Sequence, residues 1–196
     1  MTPKDSGAGL LCIGASTGGP RALQAVITEL PEDLPMPVII VQHLPEAFTH
    51  TLASRLDRLT KLNVRVAAER EALRSGTVYI APGGKDMRVK TDRTGLRVSL
   101  DETRGVQGAK PSFDVLLQSL NGLPYRTVIV VLTGMGSDGS KGIIQLRETG
   151  STYVIAESEE TAVIYGMPKS AIATGCVDEI LPLHDIASAI VRQIRV

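Results

Sequence analysis

Residues 10–20 read LLCIGASTGGP, an apolar run that leads into a glycine-rich turn. Pro20 suits the first turn of a helix. The apolar residues that follow recur at helical spacing, at Leu23, Val26, Ile27 and Leu30. The stretch is therefore predicted to form a strand, a tight turn and a helix. Residues 14–18 match G-x-S-x-G, which would place Ser16 at the corner as a nucleophile, although such glycine-rich turns also bind phosphate.

Similar apolar runs recur along the chain, with helical patterns between most of them. They lie at residues 10–13, 38–42, 77–81, 128–133, 153–156 and 177–181. Continuous valine and isoleucine runs are typical of strands that are buried on both faces of a parallel sheet. Alternating segments around a turn at residues 92–95 predict a hairpin over residues 87–100. The sequence thus predicts an α/β fold: a doubly wound, mostly parallel sheet with helices on both faces and an antiparallel β-hairpin at one edge.

Composition narrows the class of protein. The 196 residues suit one domain, and lysine plus arginine balance aspartate plus glutamate at 21 each. No global field therefore attracts nucleic acid or an anionic membrane. No run of 18 apolar residues occurs, and residues 1–9 lack the apolar core of a signal peptide. We expect a cytoplasmic protein without membrane insertion or nucleic-acid binding, built from a flexible tail (residues 1–9) and one domain (residues 10–196).

Three polar residues directly follow predicted strands. They are Ser16, His43 and Asp138. Because the carboxyl ends of parallel strands share one edge of a sheet, these side chains are expected to converge. A serine needs an imidazole to take its proton, and the imidazole needs a carboxylate to orient it, so the set fits acyl transfer. Each also has a structural interpretation: a phosphate-loop hydroxyl, a histidine at a strand end, and the N-cap of the helix that follows Asp138.

The other two histidines are not expected to join this site, whereas the turn before Asp138 could add a backbone donor to it. His50 is predicted to be solvated on a helix, and His184 to lie in a loop or cap before the last helix. No histidine has a second ligand at i+3 or i+4, so no metal site is expected. The glycine-rich turn over residues 134–136 could aim the backbone N–H of Met135 at an oxyanion, or could simply end a strand.

Several common motifs are excluded. The order Ser, His, Asp along the chain differs from that of α/β-hydrolases. A Walker A loop would need a lysine after the glycines, and residues 18–20 are Gly-Gly-Pro. A dinucleotide fingerprint would need a different glycine spacing and an acidic residue at the next strand end.

Several long motifs resemble the catalytic domain of the CheB family of chemotaxis protein-glutamate methylesterases. They span nearly the whole chain, at residues 13–19 (IGASTGG), 42–45 (QHLP), 79–83 (YIAPG), 111–116 (PSFDVL), 132–139 (LTGMGSDG) and 165–168 (YGMP). The resemblance implies Ser16 as nucleophile, His43 as general base and acid, and Asp138 as the orienting carboxylate. It also implies that the Met135 N–H stabilises the oxyanion and that Thr17 lines the site.

The resemblance also implies the reaction and the partner. Members hydrolyse glutamate methyl esters on the cytoplasmic helices of chemoreceptors to glutamate and methanol, and some also deamidate glutamine. No metal or organic cofactor is implied. Residues 10–196 would be the catalytic domain with no receiver domain present, which leaves a separate receiver or regulatory protein open as a partner.

Other functions stay open. The loop over residues 104–110 (RGVQGAK) is less polar than the family leads us to expect, so substrate choice could differ. A non-catalytic module could use the same glycine-rich loops to bind a phosphorylated ligand or a partner protein. A general small-ester hydrolase would instead need a deep apolar cavity.

Overall fold

The computed structural model describes residues 9–101 and 110–194. The predicted tail and the 104–110 loop therefore lie outside the described residues, apart from Gly9 and Lys110. Within the described part, the strands are β1 (Gly9–Ala15), β2 (Val38–Gln42), β3 (Asn63–Val66), β4 (Thr77–Ile80), β5 (Asp86–Asp92), β6 (Gly95–Asp101), β7 (Arg126–Val131), β8 (Thr152–Glu157) and β9 (Glu179–Leu181). The helices are α1 (Gly19–Ile27), α2 (Glu46–Leu59), α3 (Phe113–Gln118), α4 (Ser140–Thr149), α5 (Gly166–Ala173) and α6 (Leu183–Ile194).

Seven strands form one sheet in the order β3-β4-β2-β1-β7-β8-β9, and every neighbouring pair is parallel. β5 and β6 pair antiparallel as a separate two-stranded sheet. The predicted α/β fold with its hairpin is confirmed. From β1 the chain builds outward through β2 on one side and, later, through β7 on the other. The strand order therefore reverses between β1 and β7, and the carboxyl ends of these two strands form the switch point of the sheet, where ligands of such folds bind.

Two apolar layers cover the two faces of the sheet. Because side chains alternate along a strand, Leu11 and Ile13 of β1 join one layer, with α1, α2 and α6, while Leu10 and Cys12 join the other, with α3, α4, α5 and the hairpin. All four side chains are fully buried. The strand needs apolar residues at every position, which is why its sequence shows no alternation.

The strand β3 was not predicted. Its sequence, NVRV, is short and alternates polar and apolar residues, because the strand lies at the edge of the sheet with its polar side chains exposed.

None of the helices in the described ranges is long and apolar enough to cross a bilayer.

Gly14 has a different role from the one that the G-x-S-x-G pattern suggests. It lies inside β1, and a Cβ atom there would overlap the ring of Phe113, the first residue of α3. The residue that needs a left-handed backbone is Gly18, with φ 84°. Gly14 thus allows α3 to pack directly on β1, and Gly18 makes the turn.

Gly14→Ala is expected to lower the free energy of unfolding by about 1–3 kcal/mol, because the added methyl group must displace a fully buried ring. Denaturant unfolding measures this change. The control is Gly150→Ala, where φ is −144° and the nearest atom to a new Cβ is 3.5 Å away. Equal midpoints for Gly14→Ala and the wild type would contradict the close packing of α3 on β1.

Candidate active site

The sheet brings the loops that carry Ser16 and His43 side by side. Ala15 is in register with Gln42, and the backbone N–H of His43 donates to the Ala15 carbonyl at 3.2 Å. On the other side of β1, the N–H of Ser16 donates to the carbonyl of Thr133, just beyond β7, at 3.0 Å. Ser16 therefore lies at the switch point of the sheet, between the loops that follow β2 and β7.

His43 and Asp138 are in direct contact. The Nε2 atom of His43 lies 2.8 Å from Oδ2 of Asp138, and their side chains are only 14% and 19% exposed. When the carboxylate is ionised, it accepts a hydrogen bond from Nε2–H, so the neutral ring keeps its lone pair on Nδ1. These two residues, 95 positions apart in the chain, thus have the arrangement that suits a base and the carboxylate that orients it.

The Asp138 carboxylate sits at the N-terminus of α3. Oδ2 also accepts from the N–H of Phe113 at 2.7 Å, while Oδ1 accepts from the Ser112 hydroxyl and the Asp114 N–H, both at 2.9 Å. Burial raises the pKa of Asp138, but the hydrogen bonds from His43, Asp114, Phe113 and Ser112 outweigh it and hold the pKa below the usual value. Asp138 therefore stays ionised opposite the imidazole.

The alternative in which Asp138 caps its own helix is not observed. The N-cap of α4 is Gly139, without a side-chain hydrogen bond, and Asp114 of α3 instead accepts from the Gly142 N–H of α4 at 2.7 Å. Burial is the largest of the influences that raise the pKa of Asp114, and the charge of Asp138 adds to it. Ser112 was not predicted as a site residue, although a serine before a helical run is an N-cap signal.

The hydroxyl of Ser16 is free in this structure. Across residues 9–101 and 110–194, it makes no hydrogen bond to His43 or to any other group. The Ser16 carbonyl, by contrast, accepts from the Gly19 N–H at 2.8 Å and from Nε2 of the buried Gln42 at 2.9 Å. The turn is thus fixed by its backbone, while the half-buried Ser16 side chain takes no part in these contacts. Gln42, like Ser112, was not predicted as a site residue.

Two backbone amides beside Ser16 are available as donors. The N–H groups of Thr17 and Met135 find no acceptor within the described part of the chain. Gly134 allows the segment that carries the Met135 amide to pack close to Ser16, because a Cβ atom at Gly134 would lie only 2.8 Å from Cβ of Ser16. The Met135 side chain is 68% exposed, so only its backbone could act in an oxyanion site.

The other histidines lie away from these contacts. His50 is exposed on α2, as predicted, whereas His184 is the second residue of α6 and not part of a loop. Helix α6 begins earlier than its apolar stripe indicated. No cluster of histidine, cysteine and carboxylate side chains suited to a metal ion occurs among the described residues.

Known proteins share this architecture. The family model described as CheB methylesterase matches residues 11–190. Relatives from Geobacillus kaustophilus (strain HTA426) and Bacillus subtilis (strain 168) are both named protein-glutamate methylesterase/protein-glutamine glutaminase. Each is 49% identical over 186 residues, which cover 94% of this chain and 53% and 52% of the respective relative. The chain therefore spans about half the length of these relatives.

A solved structure agrees over the full domain. The crystal structure of the Thermotoga maritima CheB methylesterase catalytic domain matches with a TM-score of 0.91 and 38% identity, over 96% of this chain and 100% of that chain. The family model, the relatives and the solved structure all agree with the resemblance seen in the sequence motifs. The chain belongs to the CheB methylesterase family.

Proposed function

We propose that this chain is a serine esterase that hydrolyses glutamate methyl esters on a chemoreceptor. The observation that carries the proposal is the contact between His43 and Asp138 at 2.8 Å, at the switch point beside Ser16, in a chain of this family. The relatives' names indicate the reaction. The ionised Asp138 carboxylate orients the His43 ring and stabilises its protonated form, so the imidazole can take a proton from Ser16.

The first half of the reaction forms an acyl-enzyme. Ser16 Oγ bonds to the ester carbonyl carbon while His43 takes the hydroxyl proton, and the tetrahedral intermediate then breaks its bond to methoxide. His43 returns the proton to methoxide, which leaves as methanol. Because Nε2 is hydrogen-bonded to Asp138, Nδ1 is the nitrogen that accepts and returns this proton.

The second half restores the enzyme. His43 takes a proton from water, the hydroxide attacks the glutamyl-serine ester, and the glutamate carboxylate leaves as Ser16 regains its proton. The amides of Thr17 and Met135 would donate to the oxyanion in both halves. No step requires a metal ion or an organic cofactor.

One movement must precede attack, because Ser16 and His43 share no hydrogen bond. The movement that we propose is a rotation of the Ser16 side chain about its Cα–Cβ bond. Catalytic hydrogen bonds often tighten only when substrate binds. The fixed backbone of the turn confines this movement to the side chain.

The surroundings of the site favour a protein substrate over a small ester. Three large apolar side chains are exposed on the loops and the helix that flank it: Phe48 at 59%, Val163 at 64% and Met135 at 68%. Val163 lies against Gly18 of the serine turn. Apolar side chains around an open site are suited to a helix on the surface of another protein. Methylated chemoreceptors are the partner that we propose.

The same acyl-enzyme could be formed from a glutamine side chain, with ammonia as the leaving group. The relatives' names include protein-glutamine glutaminase, so deamidation is a second candidate activity. Control by a separate receiver or regulatory protein stays a prediction.

Ser16→Ala is expected to reduce methanol release from methylated chemoreceptor membranes by at least about 10³-fold, because no nucleophile remains. The measurement uses the purified chain, with Ser54→Ala on the exposed side of α2 as the matched control. Equal rates for Ser16→Ala and the wild type would contradict Ser16 as the nucleophile, and no release by the wild type would favour the non-catalytic binding module.

Asp138→Asn is expected to reduce kcat by about 10⁴-fold, because the neutral amide no longer stabilises the imidazolium or selects its tautomer. Steady-state methanol release measures kcat. Retention of most of the activity would show that the aspartate serves α3 and not the chemistry.

The contribution of Asp138 to stability should depend on pH. The pKa of Asp138 is lowered on folding. The stabilising effect of the ionised carboxylate is therefore complete above the unfolded pKa of about 3.9, and it is lost as pH falls through the folded pKa. The difference in free energy of unfolding between the wild type and Asp138→Asn should therefore be larger at pH 6 than at pH 3. The same substitution at exposed Asp33 is the control. An unchanged difference would contradict the lowered pKa.

A further inference from the structure

Glu157, the last residue of β8, is a buried carboxylate that the proposed mechanism does not use. Its side chain is 0% exposed, although it lies at the edge of the sheet that carries the site. Charged residues are almost never fully buried without hydrogen-bond partners, because burial removes the hydration of the charge. The partners of Glu157 therefore indicate what its burial serves.

Both carboxylate oxygens of Glu157 are occupied. Oε2 accepts from the backbone N–H of Thr133 at 2.7 Å, and Oε1 accepts from the hydroxyl of Thr161 at 3.0 Å. Burial raises the pKa of Glu157, and these two hydrogen bonds oppose that rise. Neither oxygen contacts Ser16, His43 or Asp138, so any effect on the reaction must pass through the hydrogen-bonded neighbours.

Thr133 joins the loops on either side of the nucleophile. Its carbonyl accepts from the Ser16 N–H at 3.0 Å, and its hydroxyl donates to the Thr17 carbonyl at 2.9 Å. The same hydroxyl accepts from the Ile164 N–H at 2.9 Å. Thr133 is 1% exposed and is followed directly by Gly134 and Met135. One side chain thus connects the serine turn, the segment before α5 and the loop that carries the Met135 amide.

We propose that Thr133, held by Glu157, is a positioning residue that sets the distance between the Ser16 turn and the Met135 amide. The inference rests on the proposed function of the site. The two loops follow different strands, and the Thr133 hydroxyl is the side-chain link between them. A displacement of about 1 Å between a nucleophile and an oxyanion donor can cost about 10²-fold in rate.

The first test compares Thr133→Val, which removes the hydroxyl at constant volume, with Thr133→Ser, which keeps it. We expect Thr133→Val to lower kcat about 10- to 100-fold with KM nearly unchanged, and Thr133→Ser to recover most of that loss. Thr127→Val makes the same change at the buried start of β7 and should leave kcat unchanged. The measurements are kcat and KM for methanol release and the rate at which a fluorophosphonate labels Ser16.

The second test uses Glu157. Glu157→Gln keeps an oxygen for the Thr133 N–H and should retain kcat within about threefold, whereas Glu157→Leu leaves this buried N–H unpaired and should lower kcat and the labelling rate together. Unfolding midpoints measured in parallel separate positioning from a loss of folded protein. If Thr133→Val does not fold, the Glu157 pair decides with the same measurements.

The outcomes separate the two proposals. Reduced stability of Thr133→Val with unchanged kcat and labelling rate, or a change in KM alone, would overturn the positioning role. A wild type that labels at Ser16 but releases no methanol would overturn the proposed substrate, and the labelling rates of the variants would still test the positioning role. A wild type that does neither would overturn both.

Discussion

The carboxylate of Asp138 accepts four hydrogen bonds from two parts of the chain that are far from each other and from Asp138 in sequence. His43 follows β2, Ser112 and the first amides of α3 form a second group, and Asp138 itself follows β7. A buried carboxylate is costly unless its oxygens are paired, so the loops can close only in the arrangement that supplies all four donors. The orientation of the imidazole follows from this arrangement.

The sheet supplies the other half of the geometry. The parallel register of β1 with β2 and β7 places Ser16 at the level of His43, the first residue after β2, and of Thr133, the second residue after β7, without any long loop. Backbone hydrogen bonds from Ser16 and His43 hold this level.

Much of the fold and of the candidate site could be predicted from the sequence, for a physical reason. Strands buried on both faces need continuous apolar runs, and glycine-rich turns at their carboxyl ends mark where chemistry gathers. The edge strand β3 lacked such a run. The contacts of Asp138 with α3 depend on packing between distant segments, which local patterns do not contain. Glu157 escaped notice because a glutamate at a strand end is usually solvated, and only the fold shows that it is buried.

Gly134 limits how the surroundings of Ser16 could be altered by substitution. A Cβ atom at Gly134 would overlap the sulfur of Met167 and lie 2.8 Å from Cβ of Ser16, so the close packing of these two residues depends on the absence of a side chain there. Libraries that randomise this position would mostly yield collapsed sites. Diversity is better introduced at Phe48, Met135 and Val163, whose side chains project into solvent and can be exchanged while the reacting groups stay in place.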